Sequence, residues 1–235
     1  MRRKIVSLLL ITVLIVIILV AVQSIQQRDR INNSNMDSGD YSLSLQHDNL
    51  DRTYLLHVPS GYKPSERYPL VLVFHGGEGT GEKVSKQTDF NIYADQERFF
   101  VVYPDGIKNS WNDGRNTTDA AKLGIDDIDF VRELVLHLQT TFNIDEKRIY
   151  ATGVSNGGIF SQRIGCEMSD IFAAIGPVVS SIATNITAAC NPSEPISVVA
   201  IQGTEDPFIP IEGGDTSHRM LGIGDGGFVE SAENT

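Results

Sequence analysis

The chain has 235 residues, 41% of them hydrophobic and 21% charged, which is ordinary for a globular protein and enough for one α/β domain with a sizeable core. Its formal net charge is -11. The first thirty positions hold five basic residues and one acid, so the remainder carries 14 Lys and Arg against 29 Asp and Glu, which argues against nucleic acid and anionic lipid as partners of the domain and fits simple solubility.

Arg2, Arg3 and Lys4 precede an apolar run from Ile5 to Val22, interrupted only by Ser7 and Thr12. Its eighteen residues would span about 27 Å as a helix, close to a bilayer's hydrocarbon core. Residues 1–25 therefore read as an uncleaved signal anchor, with a cleaved signal peptide as the alternative; Val22-Gln23-Ser24 is only a weak cleavage site. Either reading puts the domain outside the cytoplasm, secreted or held to the membrane by that segment. Residues 26–40 are polar and rich in Asn, Ser and Asp, the composition of a flexible linker, and residues 41–235 form the domain.

Within the domain, alternation at Tyr41–Leu45 and at Thr53–Val58, separated by His47-Asp48-Asn49, predicts an opening hairpin. The unbroken apolar run Tyr68–His75 suits a central strand buried on both faces, and a glycine-rich loop follows it. A helix is expected over Gln87–Arg98, a second buried strand over Phe99–Tyr103, then a long polar stretch containing Trp111. From an N-cap at Asp126 or Asp127, apolar residues at helical spacing predict a helix to Phe142. A strand at Arg148–Val154, a helix at Ile159–Met168 and strands at Phe172–Val179 and Ile196–Ile201 complete the pattern. Strands alternating with helices imply a mostly parallel sheet flanked by helices.

Such sheets gather function at the carboxyl ends of their strands. There the sequence places Gly153-Val154-Ser155-Asn156-Gly157, a Gly-x-Ser-x-Gly pattern between strand and helix that makes Ser155 a candidate nucleophile. A serine needs a base, an acid to orient the base, and N–H donors for the oxyanion. Asp206, with Glu205 as the alternative, supplies a carboxylate after a later strand. The backbone N–H groups of Asn156 and of Gly77 (or Gly76) are candidate oxyanion donors. Cys166 and Cys190 are the only cysteines, and in an extracytoplasmic domain they are expected to pair.

The ordered set His75-Gly76-Gly77, Ser110-Trp111-Asn112, Asp126-Asp127, Arg148–Gly153, Ser155–Gly158 and Gly203–Asp206 resembles the α/β-hydrolase family of polyhydroxybutyrate depolymerases and feruloyl and acetylxylan esterases. The resemblance implies hydrolysis of carboxylic esters through an acyl-serine intermediate, with no metal or organic cofactor. It implies substrates such as acetyl or feruloyl esters on polysaccharide, or short polyhydroxyalkanoate esters. It matches Ser155 to the nucleophile and Asp206 to the triad acid. It also puts Trp111 near the site, able to stack on an aromatic acyl group or a sugar; the alternative is a core residue. The family's triad histidine follows the acid after a further helix and strand, whereas Thr235 falls where that helix is expected to begin (Phe228–Thr235). The expectation is thus a hydrolase fold without its final strand and helix, and the alternative function is a non-catalytic relic. His218 is the one histidine after Asp206, and His47, His57, His75 and His137 are expected in other roles.

Overall fold

The computed structural model describes residues 36–217 and 226–235, together with residue 15. The N-terminal apolar run apart from Ile15, residues 26–35 of the linker and His218 lie outside the described residues. Among those described, no helix is long and apolar enough to cross a membrane.

Strands β1 (Gly39–His47) and β2 (Leu50–Val58) form the expected hairpin. Its turn residues Asp48 and Asn49 both take positive φ, 48° and 60°, which their short polar side chains tolerate. The strand starts at Gly39, inside the stretch expected to be linker, and Ser38 Oγ donates to the Pro59 carbonyl at 2.9 Å. Five further strands complete the sheet: β3 (Tyr68–Phe74), β4 (Phe100–Pro104), β5 (Ile144–Val154), β6 (Ala174–Val178) and β7 (Ser197–Val198). The spatial order is β1-β2-β4-β3-β5-β6-β7. The hairpin adds antiparallel to β4, and all pairs from β4 to β7 are parallel.

Helices α1 (Gly81–Thr88) and α2 (Phe90–Glu97) cover one face, where Val84 and Ala94 pack on Val73, Val101 and Tyr103. On the other face Leu70, Leu72 and Phe74 meet Phe130, Val131 and Leu134 of α4 (Asp127–Thr141) and Phe160 and Ile164 of α5 (Asn156–Glu167). The short helix α3 (Asp119–Lys122) lies between β4 and α4 in sequence, and α6 (Thr184–Thr187) follows β6. A small ribbon of β8 (Gly214–Asp215) and β9 (Phe228–Val229) stands apart from the main sheet.

Four expectations are corrected. The helix expected over Gln87–Arg98 is two helices, which meet at Asp89 with φ 51°. The strand expected from Arg148 begins at Ile144. The last strand of the sheet keeps only Ser197–Val198 as regular pairing, continued by single bonds from Val199 N to the Ile175 carbonyl and from Ile201 N to the Pro177 carbonyl, both 3.0 Å. Phe228–Thr235 starts no α-helix: it holds β9, which pairs with β8, and a 3-10 turn at Ala232–Asn234.

Asp126 caps α4 as expected, accepting from the Asp129 amide at 3.0 Å. Asp127 does something else. It is fully buried, accepts from Arg52 Nη2 at 2.7 Å and from the Asn112 amide at 2.7 Å, and so joins the hairpin, the Trp111 loop and α4.

Candidate active site

Strand β5 hands over to α5 in a single residue. Ser155 sits at φ 55° and ψ -121°, a region that costs a non-glycine residue about 1–3 kcal/mol. The strain follows from how closely strand and helix pack. A Cβ on Gly157 would stand 2.3 Å from the Phe74 carbonyl oxygen and 2.4 Å from that of His75, and one on Gly153 would stand 2.5 Å from the Gly157 oxygen. Only glycine fits at both positions, which is the physical content of the Gly-x-Ser-x-Gly pattern. The Ser155 amide is fixed by the Val178 carbonyl at 3.0 Å, so the side chain is left at the carboxyl edge of the sheet, half-buried. Among the described residues its hydroxyl has no hydrogen-bond partner.

Ser155 opens on a cleft of about 310 Å³. Its lining also includes Asn156, Gly77, Lys108, Asn109, Arg115, Phe208, Thr216 and Gly226. The loops around it carry further left-handed residues, Glu78 at φ 61°, Lys108 at 52° and Asn109 at 56°. They are tied together by the Glu78 amide, which donates to the Asn109 carbonyl at 3.0 Å. The position a Gly77 Cβ would take is open, with nothing within 4 Å. Asn156 is the first residue of α5, so its N–H has no carbonyl within the helix to bond and stands available beside Ser155.

Asn156 is itself held rigidly. Its side chain accepts from the Trp111 amide at 2.8 Å and donates to the Trp111 carbonyl at 3.1 Å and to Asp113 Oδ2 at 2.6 Å. Trp111 is buried completely. Its ring stacks on Phe160 with centroids 5.2 Å apart, and its Nε1 donates to the His75 carbonyl at 3.0 Å. It has no exposed face to offer a substrate, so the stacking role weighed for it gives way to the core role. Phe208, 41% exposed, is the aromatic side chain that does line the cleft.

Asp206 lies in the turn before Phe208. Its Oδ1 accepts from the amides of Phe208 and Ile209 at 2.8 and 2.9 Å, and no described histidine bonds to it. The four described histidines are engaged elsewhere. Burial lowers the pKa of His75. Its Nε2 accepts from the Gly106 amide at 3.0 Å, which leaves the proton on Nδ1 to donate to the Gly76 carbonyl at 2.7 Å. His57 bridges Asp40 and Asp95, and His47 pairs with Glu133. His137 lies about 15 Å along α4 from Asp127, the end that meets the Trp111 loop. The one group of three metal-ligating side chains among the described residues, His47, Asp129 and Glu133, is not in the cleft.

The family model for the PHB depolymerase esterases matches residues 52–209. The chain belongs to that family. Among its relatives, NocK of Nocardia uniformis subsp. tsuyamanensis is 32% identical over 167 residues, covering 71% of this chain and 48% of its own. Feruloyl esterase B of Piromyces equi is 29% identical, over 69% of this chain and 31% of its own. The chain thus spans about half or less of these relatives. A thermostable esterase of known crystal structure superposes with TM-score 0.56 at 25% identity, covering 74% of this chain and 48% of that one. The acetyl xylan esterase of Aspergillus awamori shares the fold at TM-score 0.51 and 16% identity, covering 66% of this chain and 57% of that one. The fold is that of the α/β-hydrolase esterases.

The sequence reading missed Asp113, Arg115 and the β8–β9 ribbon. Asp113 and Arg115 were in view in the run Trp111-Asn112-Asp113-Gly114-Arg115. An aspartate and an arginine two residues apart in a polar loop carry no signal until the loop is seen to be folded beneath the elbow. Cys166 and Cys190 form the expected disulfide, with Cα atoms 5.0 Å apart.

Proposed function

We propose that the chain is a serine esterase in which Ser155 attacks the ester carbonyl and carries the acyl group. Supporting this reading is one local observation above all: Ser155 is held in a strained positive-φ conformation between β5 and α5, lining a cleft. Attack converts the carbonyl to a tetrahedral oxyanion, which the amides of Asn156 and Gly77 receive. Collapse expels the alcohol, and water then releases the acid from the acyl-serine. A histidine oriented by Asp206 would take the serine proton. His47, His57, His75 and His137 are committed elsewhere, so in this sequence His218 is the one to test.

The cleft volume is near the lower end of the usual range for small ligands, about 300–1,000 Å³, which favours a compact acyl group. Acetyl and feruloyl esters on polysaccharide fit that size, as do short polyhydroxyalkanoate esters, and relatives bear the names feruloyl esterase and acetylxylan esterase. The apolar run at Ile5–Val22 and the Cys166–Cys190 disulfide favour a location outside the cytoplasm, secreted or anchored.

The test is labelling by a fluorophosphonate, read by peptide mass spectrometry, alongside hydrolysis of p-nitrophenyl acetate. Labelling on Ser155, abolished in Ser155→Ala, is the expected result. No described histidine bonds to Ser155 or to Asp206, so unless His218 acts as the base, hydrolysis is expected to be very weak. Turnover at the level of family enzymes that is lost in His218→Ala would make His218 the base. No labelling of Ser155 would leave the non-catalytic relic as the reading.

A further inference from the structure

From Asn156 a chain of polar contacts that the ester-hydrolase reading does not use runs through Asp113 to Arg115, which itself lines the cleft. Asp113 is fully buried. Its Oδ2 accepts from Asn156 Nδ2 at 2.6 Å and from Arg115 Nε and Nη2 at 3.0 and 2.7 Å, and its Oδ1 accepts from the Arg115 amide at 3.1 Å. The other end of the guanidinium points to the ribbon. Arg115 Nη1 donates to Thr216 Oγ1 and to the Gly226 carbonyl, each at 3.0 Å. Arg115 is therefore bonded on one side to the carboxylate that holds Asn156 and on the other to two residues of the cleft wall. Its side chain is only 12% exposed.

We propose that Arg115 is a positioning residue that sets the oxyanion amide of Asn156, through Asp113, relative to the wall formed by Thr216 and Gly226. The inference rests on the serine-esterase reading for its kinetic consequence, but the mechanical coupling stands without it. Three features carry it. The guanidinium is planar and its donors diverge in fixed directions, so moving the wall rotates the group that Asp113 grips. Asp113 is shared between Arg115 and Asn156 through the same oxygen, so it cannot follow one without shifting against the other. Asn156 is the first residue of α5, directly after the strained Ser155, where small displacements change the direction of its N–H. A misplacement of about 1 Å at a reacting centre can cost roughly 100-fold in rate. A substrate bearing on Thr216 and Gly226 would thus be felt at the oxyanion position.

The experiment compares the full chain with Arg115→Ala, Arg115→Lys and Thr216→Val. One arm follows the backbone and side-chain amide signals of Asn156 and the amides of Thr216 and Gly227 in 1H–15N spectra. The second arm measures the rate of Ser155 modification by a fluorophosphonate, whose tetrahedral adduct needs the same donors, separating maximal rate from apparent affinity. Arg115→Ala is expected to move the signals at both ends and to lower the maximal rate about tenfold with little change in affinity. Lysine, which cannot bond both ends at once, is expected not to restore it. Thr216→Val, which removes one of the two ribbon bonds and keeps both the Gly226 bond and the Asp113 pair, is expected to shift the Asn156 signals in the same direction by less, and serves if Arg115→Ala does not fold. Ribbon signals that move while those of Asn156 stay fixed would overturn the proposal, as would a loss confined to affinity. Failure of the wild-type chain to react at Ser155 would count against the esterase reading alone, and the spectra would still decide the coupling.

Discussion

At the scale of single residues, His75 shows how one buried polar side chain supports the candidate site from behind. It ends the β3 run, and both ring nitrogens are committed, Nε2 as acceptor from Gly106 and Nδ1 as donor to Gly76. Burial is the main cause of its lowered pKa, opposed by the Gly76 carbonyl and by the charges of Asp105 and Asp127. The sign of the consequence follows. The unfolded chain takes up the proton at about pH 6.5, where the folded chain still resists it. The stability that neutral His75 contributes is therefore fully present above about pH 6.5 and is lost as the pH falls toward its folded value. Protonation would also put a hydrogen on Nε2 where the Gly106 N–H already points. The expected result is a melting temperature that drops between pH 7.5 and pH 5, above the range where most carboxylates titrate. In His75→Gln that drop is smaller, although the whole curve lies lower. Equal slopes for the two proteins would rule His75 out as the source.

Arrangement of elements was legible in the sequence wherever one residue pattern served one purpose. The double-sided burial of β3 and β4, the periodic face of α4 and the glycines around Ser155 each follow from local chemistry, and each stands where expected. The failures are of a different kind. Asp89 breaks a helix that composition alone would continue, because it turns left-handed between α1 and α2. Trp111 was drawn toward the substrate by its position in a motif, but burial against Phe74 and Phe160 keeps it in the core. The ribbon could not be read at all, since β8 and β9 are two residues each and are held by Arg115 from a distant loop. The disulfide lies between these cases: its pairing needed only the count of cysteines, its effect needs the structure. It closes a loop 24 residues long from the end of α5 to the segment before β7. Constraining a loop of that size is worth about 3 kcal/mol, or roughly 6–12 °C in a domain of this length. Reduction with a thiol should lower the melting temperature by about that amount. Cys166→Ala/Cys190→Ala should melt at the reduced value and be indifferent to reductant. Coincident oxidised and reduced curves would mean that the loop is ordered without the bond.

For the molecule as a whole, the edge of the sheet opposite the hairpin is the surface that bears on association in solution. The hairpin edge ends in β1, whose outward positions carry Ser42, Ser44 and Gln46. The other edge is β7 and the residues that continue it, Ile196–Ile201, where Val198, Val199 and Ile201 are 46%, 67% and 61% exposed. The amides of Ser197, Val199 and Ile201 face inward to bond β6, so by alternation those of Val198 and Ala200 face away from the sheet. Among the described residues no strand pairs with that side. An apolar, unpaired edge is a template for another strand, and natural edges are commonly guarded by lysine. The net charge of -11 works against association, because two copies repel at low ionic strength. Those opposing effects give a prediction with a definite direction. Light scattering of the purified chain should rise with protein concentration, and more steeply at 0.5 M salt than at 0.02 M, where the repulsion is unscreened. Val199→Lys places a charge on a side chain already exposed and should suppress association at both salt concentrations while changing stability by less than about 0.5 kcal/mol. Association that weakens with added salt, or that is unchanged in Val199→Lys, would locate the sticky surface elsewhere and leave the β7 edge as a harmless boundary of the sheet.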